Sequence, residues 1–416
     1  MRFLILTQYF PPETGAPQVR LAAMIRELVR LQHQVEVVTA LPNYPQGQIF
    51  ADYQGHFYVK EEWEGVVVHR VWVYCATGAG LKRLLNYGSF MFTALWGLKN
   101  AQKPDYLFVE SPPLFLGITA YWVAKLWKIP FIFNVADLWP DSVRALGIMP
   151  NSMLLRLAEK LEIALYRGAH DITVVTESVR TILVEKKAIP RSKIHLLPNG
   201  VDLQLFHPQS PDLVWQQQLG LPEHKALLLY AGTQGYAHGA EVILQAAELL
   251  SDLNVLFLFI GGGSEHVKLV QLTYQMGLNN VLFWPPQTPE VINRFYSLAY
   301  AGLSTFRNSP WLECTRPAKT LPIMACGKPV IYSGAGEMAD LLTEAKAGLV
   351  VPPEDPIALA NAIRELLHDP VMAQQLGEHG RRYVEIHLPW SKVVNHWLQQ
   401  LVEHALANKT DMPKIN

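Results

Sequence analysis

Twice in this chain a short apolar run ends in a glycine-bearing loop that gives way to a helix-periodic stretch, and that repetition narrows the folds open to it. In the first half, Phe3 to Thr7 leads into 9-YFPPETGAP-17, after which Arg20, Leu21, Met24, Ile25, Leu28, Val29 and Leu31 recur at helical spacing. In the second half, Leu227 to Tyr230 leads into 231-AGTQGYAHG-239 and a helix predicted from Ala240 to Leu250. Strand, loop and helix in that order begin a βαβ unit, whose crossover helix returns the chain to a parallel strand. The class is therefore α/β with parallel sheets.

A chain of 416 residues exceeds what one hydrophobic core serves, so two such domains are expected. Further strands are predicted at 35–39, 66–73, 106–110, 131–135, 171–175 and 194–197 in the first half. The second half adds 255–260, 281–284, 300–304 and 330–332. Between Phe206 and Pro222 three prolines and a Gln-rich stretch mark a change of composition, which places the boundary there. The expected division is 1–205, 206–385 and a C-terminal helix with its tail at 386–416. Beyond Pro370 the pattern reads as a helix from Val371 to Gly380, a separate segment from Tyr383 to Leu388, and a last helix from Ser391 to Ala405. Val394, Trp397, Leu398, Leu401 and Val402 form one apolar stripe on that last helix, which must pack on something. A return to the first domain would bury it.

A formal net charge of −1 leaves no basic excess for a run of phosphates, so no nucleic-acid partner is expected. Three scattered cysteines, Cys75, Cys314 and Cys326, suit a reducing compartment and form neither a disulfide framework nor a zinc pattern. The N-terminal apolar run is too short for a secretion signal and reads as a first strand. Residues 84–98 and 114–133 are apolar, yet one is too short to span a bilayer and Lys125 and Lys128 interrupt the other. The first, preceded by Lys82 and Arg83, fits either a helix at a membrane surface or an apolar helix packed on a sheet.

Candidate chemistry gathers in three places. Arg316 and Lys319 precede a predicted helix start in 316-RPAKTLPIMACGKPVIYSGAGE-337, where basic groups and free N–H groups suit a phosphate or pyrophosphate. Glu337 closes the same stretch. Asp137 and Asp141 stand with Trp139 in the loop after the strand 131–135, either as reactive carboxylates or as caps of the next helix. Gly232 and Gly235 open the second glycine loop, whose GxxGxxxG spacing departs from the dinucleotide fingerprint. There is no Asp-x-Asp pair, and no His, Asp or Glu cluster at metal-ligand spacing. An anionic leaving group would thus be balanced by Lys319, Arg316, helix N-termini and loop amides. The elbow of a serine hydrolase and the Walker loop are missing as well.

Over nearly its whole length the chain resembles bacterial family-4 glycosyltransferases of the GT-B fold, in the branch that builds cell-surface polysaccharides such as O-antigen and colanic acid. The resemblance rests on 9-YFPPETGAPQVR-20, 42-PNYPQG-47, 137-DLWPDS-142, 197-LPNGVD-202, 230-YAGTQG-235 and 317-PAK with MACGKPV-330, in that order. It implies two Rossmann-like domains facing a cleft, with the C-terminal helix crossing back to the first. It also implies a retaining transfer, without metal or cofactor, of a hexosyl or N-acetylhexosaminyl group. The donor would be a nucleotide diphosphate sugar, a UDP-sugar by expectation, and the acceptor a polysaccharide or a lipid-linked oligosaccharide. Residue by residue, it implies that Gly15 approaches the donor phosphates, that Asp137 faces the reacting sugar, and that Lys319 with Arg316 balances the diphosphate. Pro286 and Gln287 would touch the base, and Glu313 the donor sugar. Arg20 is either an acceptor-side group or half of a helix-face ion pair, and Tyr44 lies in an acceptor loop. The implied location is cytoplasmic, with contact at the inner membrane face.

Two positions depart from the family pattern. Pro322 replaces a glutamate that binds ribose hydroxyls, and Tyr236 replaces a basic residue of the glycine loop, with His238 two residues on as another possible phosphate donor. These departures leave a second reading open, a catalytically impaired nucleotide-sugar binding or partner subunit, and a third, sugar-nucleotide epimerisation.

Overall fold

The structure, a computed structural model, describes every residue except 14, 45, 77–79, 142–152 and 411–416. Thr14, Pro45 and Ser142 of the motifs above lie outside the described residues. The chain forms two compact units, Met1–Asn199 with Trp390–Asn416, and Gly200–Pro389.

The first unit runs β1 (Arg2–Leu6), α1 (Ala16–Arg30), β2 (Gln34–Ala40), β3 (Tyr58–Trp63), β4 (Val66–Val71), α2 (Leu81–Asn100), β5 (Tyr106–Ser111), α3 (Leu116–Trp127), β6 (Phe131–Val135), α4 (Met153–Gly168), β7 (Asp171–Val174), α5 (Glu177–Glu185) and β8 (Ile194–Leu196). Its eight strands lie in the order β3-β4-β2-β1-β5-β6-β7-β8. All pairs are parallel except β3 with β4. The sequence reading lacked β3, a polar, half-exposed edge strand without a continuous apolar signature.

The second unit runs α6 (Leu213–Gln218), β9 (Ala226–Ala231), α7 (Glu241–Leu249), β10 (Val255–Ile260), α8 (His266–Gln275), β11 (Val281–Trp284), α9 (Pro289–Leu298), β12 (Ala301–Thr305), α10 (Thr320–Ala325), β13 (Val330–Ser333), α11 (Glu337–Ala345), β14 (Gly348–Val351), α12 (Pro356–His368) and α13 (Pro370–His387). Six parallel strands lie in the order β11-β10-β9-β12-β13-β14. In both sheets the order doubles back beside the first strand, the doubly wound pattern whose ligand sites lie at the carboxyl ends of the strands. The expected α/β class with two Rossmann-like halves is what folds.

The break expected after Gly380 is absent, because α13 continues unbroken to His387. Its glycines serve packing instead of termination. A Cβ on Gly377 would stand 2.2 Å from the Gly327 carbonyl oxygen, and one on Gly380 would stand 3.2 Å from the Ala347 Cβ. Gly377 is small because the helix lies directly on another backbone.

The last helix, α14 (Trp390–Thr410), belongs to the first unit. Trp397 is fully buried, with its ring 5.9 Å from Phe3 and 5.7 Å from Phe108 between centroids. Gln400 accepts from the Leu196 N–H at 3.0 Å and donates to the Leu196 carbonyl at 3.2 Å. A side-chain amide thus pairs with both backbone groups of Leu196 on edge strand β8.

Candidate functional site

In the second unit the two glycine loops that follow β9 and β10 lie against each other. Gly232 donates to the Ile260 carbonyl at 2.8 Å and Gln234 to the Gly262 carbonyl at 2.8 Å. Gly261 (φ 135°) and Gly263 (φ 150°) adopt backbone angles that L side chains rarely take. A Cβ on Gly261 would also meet the Gly232 carbonyl at 2.2 Å. Glycine here is dictated by both conformation and space. Pro286 stands beside Gly262, 3.8 Å from where its Cβ would be, while Gln287 turns back to donate to the Pro285 carbonyl at 3.1 Å.

Lys319 caps the start of α10 and reaches into this arrangement. Its Nζ donates to the Tyr230 hydroxyl at 2.5 Å and sits 3.8 Å from the centroid of the same ring. The Thr233 carbonyl lies 3.4 Å away and His238 Nδ1 3.5 Å away. These neighbours include no carboxylate, and burial pushes the ammonium well below the ordinary lysine range. A lysine so placed, with no carboxylate among these neighbours, holds its proton more firmly once an anion arrives beside it. Because α10 has only six residues, its dipole adds little beside the ammonium.

Arg316 has a different fate. Its Nη2 and Nε donate to Glu337 Oε2 at 2.7 and 3.1 Å, so the structure pairs these two predicted site residues with each other. His238 stacks on Phe306 at 5.3 Å, and burial together with Lys319 pushes its imidazole down to about 3, so it stays neutral near pH 7. Tyr236 is half-exposed and lies under the Arg307 guanidinium, 4.5 Å from ring centroid to Cζ. Sequence reasoning passed over Arg307, which puts a basic group next to the position where a loop cation was missed. Its charge is taken up by Glu241 and Glu354, at 2.7 and 2.9 Å. Glu313 sits in a short 3-10 turn, with its backbone packed on the place a Gly336 Cβ would occupy. Pro322 is the third residue of α10, inside the first turn where its missing N–H costs nothing.

In the first unit, Gly15 precedes α1 in an extended conformation. A Cβ there would meet Gln18 Oε1 at 2.6 Å and Tyr44 Cε1 at 3.4 Å, so the loops carrying Gly15 and Tyr44 touch. Glu13, which sequence reasoning passed over, joins them: its buried carboxylate accepts from the N–H groups of Asn43 and Tyr44 at 2.8 Å and of Phe10 at 3.3 Å. Burial raises its pKa despite those donors. The Tyr44 ring also contacts Tyr9, 5.7 Å away, whose hydroxyl accepts from Arg83 at 2.6 Å.

Asp137 follows β6 at the carboxyl edge, half-buried, with its carbonyl accepting from the Trp139 N–H at 3.0 Å. Asp141 pairs with Lys187 at 2.6 Å, and Lys187 also pairs with the fully buried Glu162, which ties Asp141 into a structural network. Arg20 is buried, its Nη1 shared between the two carboxylate oxygens of Glu110 at 3.2 and 3.3 Å and its Nη2 donating to Asn134 Oδ1 at 3.1 Å. Of its two readings, the ion pair is what forms.

Residues 15–200 match the model of the Glycosyl transferase 4-like domain, and residues 213–383 match that of Glycosyl transferases group 1. The chain is 26% identical to the colanic acid biosynthesis glycosyl transferase WcaI of Escherichia coli K12, over 88% of this chain and 92% of the relative. Among solved structures, sucrose-phosphate synthase from Thermosynechococcus elongatus superposes with TM-score 0.77 at 20% identity, over 98% of this chain and 99% of the other. Anabaena HepE in complex with UDP-glucose gives 0.72 at 16%, over 97% and 100%. At these identities the structural matches speak for the fold alone.

Proposed function

We propose that this chain, which belongs to the family-4 glycosyltransferases of the GT-B fold, moves a hexosyl or N-acetylhexosaminyl group from a UDP-sugar to a polysaccharide or lipid-linked oligosaccharide acceptor, with retention and without a catalytic metal. The observation that carries this reading is the placement of Lys319 Nζ at the glycine loop, beside Gly232, Thr233 and His238, with no carboxylate among those neighbours. Loss of a nucleoside diphosphate concentrates negative charge on the leaving oxygens, and a lysine held beside them stabilises that charge where it develops. Gly232 and Gly235 would let the backbone approach the diphosphate, neutral His238 and Tyr236 would flank it, and Pro286 and Gln287 would lie by the base. Glu313 would hold the donor sugar. Arg316 and Glu337, bound to each other, would shape the site without carrying net charge into it. In the first unit, Asp137 would face the reacting sugar, Gly15 would approach the phosphates, and Tyr44 would contact the acceptor. Arg20 would hold the scaffold beneath them.

The colanic acid role in the name of WcaI supports the choice of a surface glycan, and the bound UDP-glucose of HepE, a neighbour in fold, makes that sugar nucleotide the first donor to test. No helix among the described residues is long and apolar enough to cross a membrane. A surface contact is favoured by the outer faces of α2, α3 and α4, which expose Phe92, Trp96, Trp122, Leu126 and Leu154. Lys99 and Lys125 lie 5.6 Å over the rings of Trp96 and Trp122. Aromatic and basic groups interleaved on an apolar face suit the headgroup layer, and the protein would work peripherally on the cytoplasmic side. Replacing Phe92, Trp96 and Leu126 by serine should then release it from anionic vesicles, and unchanged partitioning would contradict the contact.

Pro322, where relatives place a ribose-binding carboxylate, favours a second reading as a nucleotide-sugar binding subunit. Purified protein incubated with a panel of nucleotide sugars separates the readings. Nucleotide release with product on an added acceptor is the expected result. Binding without turnover would favour the second reading, and donor isomerisation without acceptor would favour an epimerase.

A further inference from the structure

At the amino ends of the strands of the first unit, away from the loops just described, three histidines from three segments converge on one carboxylate. Asp171, the first residue of β7, is almost fully buried. Its Oδ2 lies 2.6 Å from His170 Nδ1, and its Oδ1 lies 2.7 Å from His195 Nε2 and 2.6 Å from His404 Nδ1. His195 comes from β8 and His404 from α14, 233 residues along the chain from Asp171. His195 is as enclosed as Asp171, whereas the His170 side chain is 38% exposed and His404 12%, which leaves an approach from solvent. A cavity of about 750 Å³ opens beside the cluster, lined by His170 and His404 together with Tyr121, Ile129, Phe131 and Lys193.

We infer that His170, Asp171 and His404 form a binding site for a divalent transition-metal ion of the zinc type, with His195 orienting the carboxylate. One ligand atom from each of the three lies within 4.8 Å of the others. Zinc bonds of about 2.0–2.2 Å hold ligand atoms about 3–4 Å apart, so small rotations of two imidazoles suffice. In the metal-free state each imidazole donates to the carboxylate. On metal binding, His170 and His404 carry their proton on Nε2 and turn the Nδ1 lone pair to the ion. His195 keeps donating its Nε2 proton to Asp171, the carboxylate–histidine support seen around zinc ligands. Lys125, Lys128 and Lys193 line the same cavity; Lys125 lies 5.6 Å over the Trp122 ring and Lys193 Nζ donates to the Arg167 carbonyl at 2.7 Å.

Two imidazoles, a carboxylate and a fourth position open to the cavity make a donor set that suits zinc better than magnesium or calcium, which prefer oxygen. The ion would fasten α14 to the strand edge on which Gln400 already lies. It takes no part in the proposed transfer, whose residues stand at the other ends of the strands.

The test is titration of the full chain with Zn²⁺ by calorimetry, and with Co²⁺ by visible absorption, which reports tetrahedral nitrogen and oxygen ligands. One ion per chain is expected, and the melting temperature should rise with added Zn²⁺. His170→Ala and His404→Ala should each weaken binding about 100-fold or more, and His195→Ala about 10- to 100-fold. The exposed His379→Ala is the control and should bind as the parent does. Circular dichroism, with His404→Asn as a milder variant, separates loss of the site from loss of the fold. Binding equally strong in His170→Ala and His404→Ala, or no binding by the folded parent, would overturn the assignment.

Discussion

Arg316 spends both of its hydrogen bonds to Glu337 on one carboxylate oxygen, whereas Lys319, three residues on, sets its Nζ among Tyr230, Thr233 and His238. Two basic residues that look equivalent in the sequence are thereby sorted into a structural ion pair and a lysine without a carboxylate among those neighbours.

Lys319 should cost stability when no ligand is bound. Because its folded pKa is depressed, the penalty is present in full at pH values below that folded pKa and vanishes as pH rises to the ordinary lysine value. Lys319→Met should therefore unfold later in urea than the parent at neutral pH, by about 1–2 kcal/mol, with the gap closing toward alkaline pH. Equal stability at all pH values would contradict the desolvated ammonium.

Arg20→Ala should act on the fold. Removing one half of the buried Arg20–Glu110 pair leaves a charge unpaired and costs about 3–5 kcal/mol. Denaturant unfolding reads this directly. A stable Arg20→Ala protein with a raised acceptor KM would instead return Arg20 to the acceptor site.

Gly261→Ala should weaken nucleotide binding, because the added methyl would meet the Gly232 carbonyl and force the two loops apart. Donor titration is the check, with Gly277→Ala as the comparison, since its positive φ is matched by open space. A loss confined to Gly261→Ala is expected, and equal losses would point to φ strain alone.

Glu13→Gln keeps the size of the side chain but weakens acceptance from three backbone N–H groups. It should raise the acceptor KM while leaving donor affinity unchanged, measured as initial rates with each substrate varied. A shift in donor affinity instead would separate these loops from the acceptor.

The strands and helices were largely legible because each buried strand is a short apolar run between loops, as Phe131–Val135 and Val255–Ile260 show. Edge strand β3 was not, because half its residues face water and its pattern is polar. The end expected at Gly380 failed because a glycine that permits close packing looks the same in sequence as one that ends a helix. Within each unit the structure brings together residues whose motifs were visible by position, Gly15 with Tyr44 in the first and Gly232 with Lys319 in the second. The partners of Arg20, Arg316 and Asp141 were not, since ion pairs with Glu110, Glu337 and Lys187 join residues remote in sequence. The same holds for Asp171 and His404, which no spacing rule could bring together.

The most direct measurement compares binding of uridine, UMP and UDP to the parent and to Lys319→Met by calorimetry. If Lys319 holds the donor diphosphate, the parent should prefer UDP over uridine by at least about tenfold, or about 1.4 kcal/mol. Lys319→Met should lose most of that preference while keeping its affinity for uridine, and Arg316→Lys should retain it. A Lys319→Met protein that still prefers UDP as strongly as the parent does would contradict the account.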